Sequence, residues 1–226
     1  FLEKCQKFKK TKCEQLWDAF QKAYVKKDPC KVPMEDYDPL MTLAPIEPLQ
    51  DKAMFWSKTK DVVHDFTGKT DCFVTVEDSL LGSVLDGLTW CGNKGNEKTR
   101  TTRCPKWEEC PDNPVSSFWK RISTAFADAA KGDVTVMLNG SITKPFDDKS
   151  IFASVEVERL KSPRIKNLKV VLVADKKAGN NCKNGSLKAL LEQLKKKKIK
   201  YDCKDVPQSQ IKKCNSNGKK TCGSCW

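Results

Sequence analysis

Twelve cysteines in 226 residues restrict this chain more than any other feature. A reducing cytosol keeps thiols free, and a protein of this size rarely carries so many there. The count points to a disulfide-stapled chain that folds in the secretory pathway and works outside the cell. Asn139-Gly140-Ser141 and Asn184-Gly185-Ser186 are glycosylation sequons in keeping with that compartment, whereas Asn113 is followed by Pro114 and is not one. No stretch approaches the ~20 apolar residues of a membrane span, and no signal peptide opens the chain. It therefore reads as a mature secreted chain or a trimmed ectodomain, any membrane anchor lying outside it.

The length allows one large domain or two small ones that share an interface. With 38% hydrophobic and 31% charged residues, the chain can bury a core and is not disordered. In "CEQLWDAFQKAYVKK", Leu16, Trp17, Phe20, Ala23 and Tyr24 recur at helical steps, and Asp28-Pro29 ends the segment. "EDSLLGSVLDGL" (77–88) predicts a second helix. "SSFWKRISTAFADAAKGD" predicts a third, with Phe118, Trp119, Ile122, Phe126 and Ala129 as its stripe and Gly132 as its stop. After Gly132 the texture changes. "VTVML" (134–138) and "KVVLVAD" (169–175) are short β-branched runs, as in strands covered on both faces.

"SIFASVEVERL" (150–160) alternates with period two, Ile151, Ala153, Val155 and Val157 on one side, Phe152, Ser154, Glu156 and Glu158 on the other. That pattern predicts a half-buried strand. Ser186 is the expected N-cap of a further helix carrying Leu187, Leu190, Leu191 and Leu194. Strands alternating with helices imply a small parallel sheet, so a helical part precedes an α/β part.

The formal charge is +13, concentrated in "LKKKKIK" (194–200), "IKK" (211–213) and "GKK" (218–220). Such a surface attracts nucleic acid, heparin-like polymers or anionic membranes; it is also how a solvated helix face keeps a protein soluble. Aromatic residues do not interleave with these runs, so the stacking signature of single-strand binders is missing and no nucleic-acid partner is expected.

His64 is the only histidine, which removes two-histidine ribonuclease chemistry. A Ser–His–Asp triad would hang on it alone, without a G-x-S-x-G elbow. His64 is expected to pack or cap within "DVVHDF". The terminal "CGSCW" matches the local pattern around a papain-type nucleophile, but no histidine or asparagine follows it. Its C-x-x-C lacks a surrounding βαβ unit, and the other cysteines lack the paired short spacings of structural zinc, so no metal site is expected. Carboxylates remain as the source of catalytic groups.

Residues 89–119, "TWCGNKGNEKTRTTRCPKWEECPDNPVSSFW", become specific when taken with "MFWSK" (54–58), "VTVEDSLLG" (74–82), "VMLNGS" (136–141) and "FASVEV" (152–157). Together they closely resemble the ADP-ribosyl cyclase/cyclic ADP-ribose hydrolase family, extracellular NAD glycohydrolases. The resemblance runs from Cys5 to Cys222, with the motifs in order and the cysteines in register. It implies cleavage of NAD+ at the nicotinamide–ribose bond. Water then captures the ADP-ribosyl intermediate as ADP-ribose, the expected main product, or adenine closes it to cyclic ADP-ribose, the minor one. NAD+ is thus the substrate and no cofactor is implied; NADP+ and cyclic ADP-ribose are further candidate substrates.

The resemblance places the catalytic glutamate at Glu156, so the polar side of its segment should meet a cleft. A carboxylate suits this chemistry independently, because departing nicotinamide leaves an oxocarbenium-like ribose that an anion stabilises or bonds. Nicotinamide leaves from a cationic state, so no second carboxyl is needed as an acid. Trp56 and Trp119 match the two tryptophans flanking the cleft, although Trp119 alone reads as part of a helix stripe. Glu77 and Asp78 match the acidic pair that addresses the nicotinamide amide, and Glu77 also matches the position favouring hydrolysis over cyclisation. Without the resemblance they are acids opening a helix. Asp86 matches an acid at the cleft mouth, and Ser57, Lys58, Ser123 and Phe152 match residues near the diphosphate and its ribose. Lys58 stands where many relatives have arginine, Ile151 where they carry threonine or phenylalanine, and Ala153 where glycine is usual. A point charge replaces a planar fork and a methyl is added, which bears on the diphosphate grip and the product ratio.

The same register implies disulfides Cys5–Cys13, Cys30–Cys110, Cys91–Cys104, Cys182–Cys203 and Cys214–Cys222. Cys72 and Cys225 remain; they bridge each other, or one pairs between chains in a homodimer. The implied fold is a disulfide-stapled mixture of α+β and α/β. It has a helical lobe (1–49 and 75–130), a lobe with a small, mostly parallel sheet between helices (50–74 and 131–226), and a cleft between them. The alternative is a weakly active receptor-like or polyanion-binding ectodomain on the same fold.

Overall fold

The computed structural model describes residues 1–9, 11–175, 181–216 and 224–226. In chain order the helices are α1 (Leu2–Cys5), α2 (Cys13–Tyr24), α3 (Asp38–Leu43), α4 (Lys60–Lys69), α5 (Leu80–Leu85), α6 (Pro114–Ala129), α7 (Val157–Arg159), α8 (Gly185–Lys196) and α9 (Gln208–Ser216). The strands are β1 (Leu49–Gln50), β2 (Met54–Ser57), β3 (Cys91–Asn93), β4 (Asn96–Arg100), β5 (Ala130–Asn139), β6 (Ile165–Ala174) and β7 (Lys200–Pro207). They form two compact units, Phe1–Ile46 with Glu77–Ala125, and Glu47–Val76 with Phe126–Trp226.

The first unit is helical apart from the antiparallel hairpin β3–β4. The apolar stripe of α2 goes inward, and Phe20 meets Trp90 edge-on at 5.0 Å. Trp90 Nε1 donates to the Tyr37 hydroxyl at 3.0 Å, and that hydroxyl donates to the Pro114 carbonyl at 2.7 Å. Each buried polar atom of this relay therefore has a partner, and the core is tied to the first residue of α6. Asn113 caps that helix by accepting from Ser116 N at 2.9 Å, with Pro114 favourably placed just inside. The helix expected over 77–88 is interrupted. A 3-10 turn spans Val76–Asp78, and α5 restarts after Ser79, whose hydroxyl accepts from Gly82 N at 3.2 Å. Disulfides Cys5–Cys13, Cys30–Cys110 and Cys91–Cys104 staple this unit.

The second unit is built on a parallel sheet in which β5 pairs with β6, β6 with β7, and both β1 and β2 with β5. Its two inner strands are buried on both faces, which is why their sequences run apolar without alternating. Met54, Met137, Val171, Val173 and Val206 pack with Val63 and Phe66 of α4 and Ile211 of α9. On the alternate side of β2, Phe55 meets Phe126 at 5.5 Å and Phe152 at 5.8 Å. Gly132, the expected helix stop, lies inside β5 instead. It adopts φ +75° where the register with β6 shifts, and a Cβ there would collide with the Asp51 carboxylate.

The segment 150–160 is not a strand. Phe152–Glu156 form a π-type turn that continues into α7. The Ser150 hydroxyl starts it by accepting from Ala153 N at 3.1 Å, and the Ser150 carbonyl accepts from Ser154 N at 2.9 Å. The buried positions are 152, 153, 156, 157 and 160, a helical stripe, while Ile151 and Val155 are only half-buried. A capping serine and helical burial override the two-residue alternation.

The N-cap of α8 is Asn184 rather than Ser186; its Oδ1 accepts from Ser186 N at 2.9 Å. Ser186 Oγ instead accepts from Phe146 N at 3.2 Å. Cys182 pairs with Cys203, and Cys214 pairs with Cys225 rather than with Cys222. That pairing also excludes a Cys72–Cys225 bridge; Cys72 is disulfide-bonded, and Cys222 lies outside the described residues. Packing makes the choice. Trp226 packs against both Phe66 (5.2 Å) and Phe73 (5.8 Å), and Gln210 Nε2 donates to Cys225 O at 2.7 Å, which brings residue 225 to Cys214. Of the basic runs, 194–200 ends α8 and opens β7, with Lys195, Lys196, Lys198 and Lys200 exposed, 211–213 lies in α9, and 218–220 lies outside the described residues. Among the described residues no helix is long and apolar enough to cross a membrane.

Candidate active site

In the second unit, two chain segments carry predicted site residues. The first is the carboxyl end of β2, where Trp56 and Ser57 pair in parallel with Met137 and Leu138 of β5. Open α/β sheets bind ligands beyond this strand edge. Ser57 is 8% exposed and Trp56 half-buried. The His64 imidazole stands edge-on to the Trp56 indole at 5.4 Å and 77°. It thus packs across to β2.

Lys58, the next residue, adopts φ +54°, a left-handed conformation unusual for a side chain of this size. Two contacts hold it. Asn139 Nδ2 donates to the Lys58 carbonyl at 3.0 Å, and Lys58 Nζ meets Asp147 Oδ2 at 3.0 Å. The Asp147 carboxyl is held below the usual carboxylate range, first by the Lys149 N–H and then by Lys58. Asn139, read from sequence as a sequon, therefore also brackets this corner, its Oδ1 accepting from Ser141 N at 2.8 Å. The other sequon asparagine, Asn184, donates through Nδ2 to Thr143 O at 3.1 Å while capping α8.

The second segment is the turn carrying Glu156. Its stripe calls for an apolar residue at 156, and a carboxylate stands there at 5% exposure. Wide π-type turns recur at functional sites because they re-aim one side chain. Phe152, at the start of the same turn, is 1% exposed, its ring against Phe55 and Phe146. Ile151 is half-buried and Ala153 buried. The Phe55–Phe152 contact brings this turn and β2 together. The amino ends of β5, β6 and β7, at the opposite strand edge, line a cavity of about 600 Å³ with Asp51, Phe73, Tyr201 and Trp226; no predicted site residue lines it.

In the first unit, Glu77 is half-buried and Asp78 exposed in the 3-10 turn, and Asp86 closes α5, its carbonyl accepting from Lys4 Nζ at 2.9 Å. On α6 the fully buried stripe is Phe118, Ile122 and Phe126; Trp119 lies beside it, half-buried, with its ring edge-on to Phe118 at 5.1 Å. Trp119 is therefore not consumed by the core. Ser123, one helical turn later, is 3% exposed.

Sequence reasoning missed Asp147 and Ser150. Ser150 could have been found as a polar residue immediately before a helical stripe; Asp147 carries no local signal for its ion pair, because Lys58 is distant in the chain.

A family model described as ADP-ribosyl cyclase matches residues 1–223. The chain belongs to the ADP-ribosyl cyclase family. ADP-ribosyl cyclase/cyclic ADP-ribose hydrolase 1 of Mus musculus is 38% identical over 196 residues, covering 85% of this chain and 64% of that protein. The ADP-ribosyl cyclase/cyclic ADP-ribose hydrolase of Aplysia californica is 32% identical over 203 residues, 88% of this chain and 72% of that protein. The chain thus spans just under two thirds of the length of the mouse relative. Porcine CD38, solved with a covalent intermediate, superposes with a TM-score of 0.84 at 36% identity, covering 91% of this chain and 94% of that one. Aplysia cyclase, solved with substrate NGD and product cGDPR, superposes at 0.82 with 28% identity, covering 100% and 94%. The mixed α/β fold with its mostly parallel sheet is that of the ADP-ribosyl cyclase family.

Proposed function

We propose that this chain is an NAD+ glycohydrolase and ADP-ribosyl cyclase, releasing nicotinamide and giving mainly ADP-ribose with a minor cyclic product. One observation carries the reading within the family: a carboxylate, Glu156, is 5% exposed at a stripe position in a π-type turn beside β2. Burying a carboxylate is costly, and the chemistry gives it a use. The nicotinamide–ribose bond breaks with its electron pair leaving on nicotinamide, which departs neutral. Glu156 then stabilises the oxocarbenium-like ribose or donates an electron pair to it. Water attacking that carbon, with loss of a proton, gives ADP-ribose, and adenine attacking it gives cyclic ADP-ribose; where Glu156 has bonded to the carbon, that carbon–oxygen bond breaks in the same step and its electron pair returns to the carboxylate. The covalent intermediate of porcine CD38, to which this chain is similar, supports a bond-forming role.

Trp56, steadied by His64, offers substrate a flat face, and Ser57 and Lys58 address the diphosphate at the end of β2. Phe152 acts through packing, fixing the turn, with Ile151 beside it. Trp119 supplies the second flat face, Glu77 and Asp78 address the nicotinamide amide, Glu77 biases the intermediate toward water, and Asp86 and Ser123 keep the places the family motif gives them. The disulfides support an extracellular location. Incubation of the purified chain with NAD+, followed by chromatography of nicotinamide, ADP-ribose and cyclic ADP-ribose, tests the reading; no nicotinamide above a blank would reject it.

A further inference from the structure

Lys58 is the cation assigned to the diphosphate, and it already has a counter-ion. Its Nζ lies 3.0 Å from Asp147 Oδ2 while its side chain remains 54% exposed, against 22% for Asp147. The two partners are not equally free. Asp147 Oδ1 accepts from Lys149 N at 3.0 Å, and the Asp147 carbonyl accepts from Ser150 N at 3.0 Å and from Ser150 Oγ at 2.6 Å. The carboxylate is thus fixed on the loop leading into the Glu156 turn. The lysine head, a compact charge on a flexible stem, is the part that can turn to another anion.

We propose that Asp147 is a specificity-determining residue, a resident counter-ion whose bond to Lys58 an incoming diphosphate must displace or share. The inference rests on the reading of Lys58 as the diphosphate contact. Two phosphate charges outcompete one carboxylate, but the displaced pair subtracts from the attraction the substrate receives. A substrate without phosphate leaves the pair intact and is indifferent to it. Exposed pairs of this kind shift an equilibrium by roughly two- to five-fold.

The test compares KM for NAD+ with KM for nicotinamide riboside in the parent, Asp147→Asn, Lys58→Ala and the double variant. Titration calorimetry with ADP-ribose on the same proteins gives a readout independent of turnover. Asp147→Asn should lower KM for NAD+ and Kd for ADP-ribose about two- to five-fold. It should leave KM for nicotinamide riboside where it was and have no effect in the Lys58→Ala background. Asp147→Ser, which keeps an oxygen for the Lys149 N–H, should behave alike and guards against loop distortion. A raised or unchanged KM for NAD+, an equal shift for both substrates, or an effect that survives Lys58→Ala would overturn the proposal. If Lys58→Ala alone changes neither NAD+ nor ADP-ribose binding, the diphosphate assignment fails first and takes the proposal with it.

Discussion

Phe152 separates two accounts of what surrounds Glu156. The family motif counts it among residues near the diphosphate and ribose, yet its ring is 1% exposed, 5.8 Å from Phe55 and 5.9 Å from Phe146. Phe55 in turn stands edge-on to Phe126, so the ring belongs to an aromatic cluster under the turn. Truncation to alanine would leave a cavity that close-packed neighbours fill only in part, at a cost of about 3–5 kcal/mol; leucine, which keeps most of the volume, should cost about 1–1.5 kcal/mol. Because Phe152 opens the turn that carries Glu156, the loss should appear in stability and then in kcat, through poorer placement of the carboxylate. Denaturant unfolding with disulfides intact, beside steady-state kinetics under conditions where each variant is folded, measures both. The expected order of stability is parent, Phe152→Leu, Phe152→Ala, with KM for NAD+ little changed. An unchanged unfolding midpoint with a raised KM would refute the reasoning and put the ring against substrate.

Replacing Glu77 with phenylalanine should raise the cyclic fraction of product, read by chromatography at equal NAD+ conversion; an unchanged ratio would remove Glu77 from the partition. Burial holds all three tyrosines above the usual phenol range, Tyr24 and Tyr201 being pushed up to about 12 and Tyr37 higher. At about pH 10.5 a free tyrosine is roughly three quarters ionised. The native protein should therefore show little phenolate absorbance where the guanidinium-unfolded chain shows most of it. The raised pKa values favour the native state fully below pH ~10, and this contribution is lost as pH rises through about 12, so stability should fall across that window. Native phenolate absorbance already appearing near pH 10 would contradict the burial.

What the sequence made legible was whatever a local pattern can carry. The inner strands showed as β-branched runs because both faces are covered, and α2 showed as a stripe. The Glu156 turn was misread because its apolar residues satisfy two periods at once. Only the cap at Ser150 and the burial of 152, 156 and 160 distinguish them. Gly132 looked like a helix stop because a glycine at positive φ serves that role as readily as a bulge beside Asp51. The last disulfide turned on which of two cysteines three residues apart reaches Cys214. That depends on where Trp226 packs, a contact with Phe66 and Phe73 far away in the chain. The Lys58–Asp147 pair was invisible for the same reason: nothing in either neighbourhood encodes the other.

The central claim is that Glu156 performs the chemistry, and Glu156→Gln tests it most directly. The substitution keeps the shape of the side chain in its buried position and removes the charge. With NAD+ as substrate and nicotinamide release as the readout, turnover should fall by at least about 100-fold while the unfolding curve stays close to the parent's. A folded Glu156→Gln variant that releases nicotinamide within about ten-fold of the parent rate would contradict the account, since stabilising the ribosyl cation could not then depend on this carboxylate.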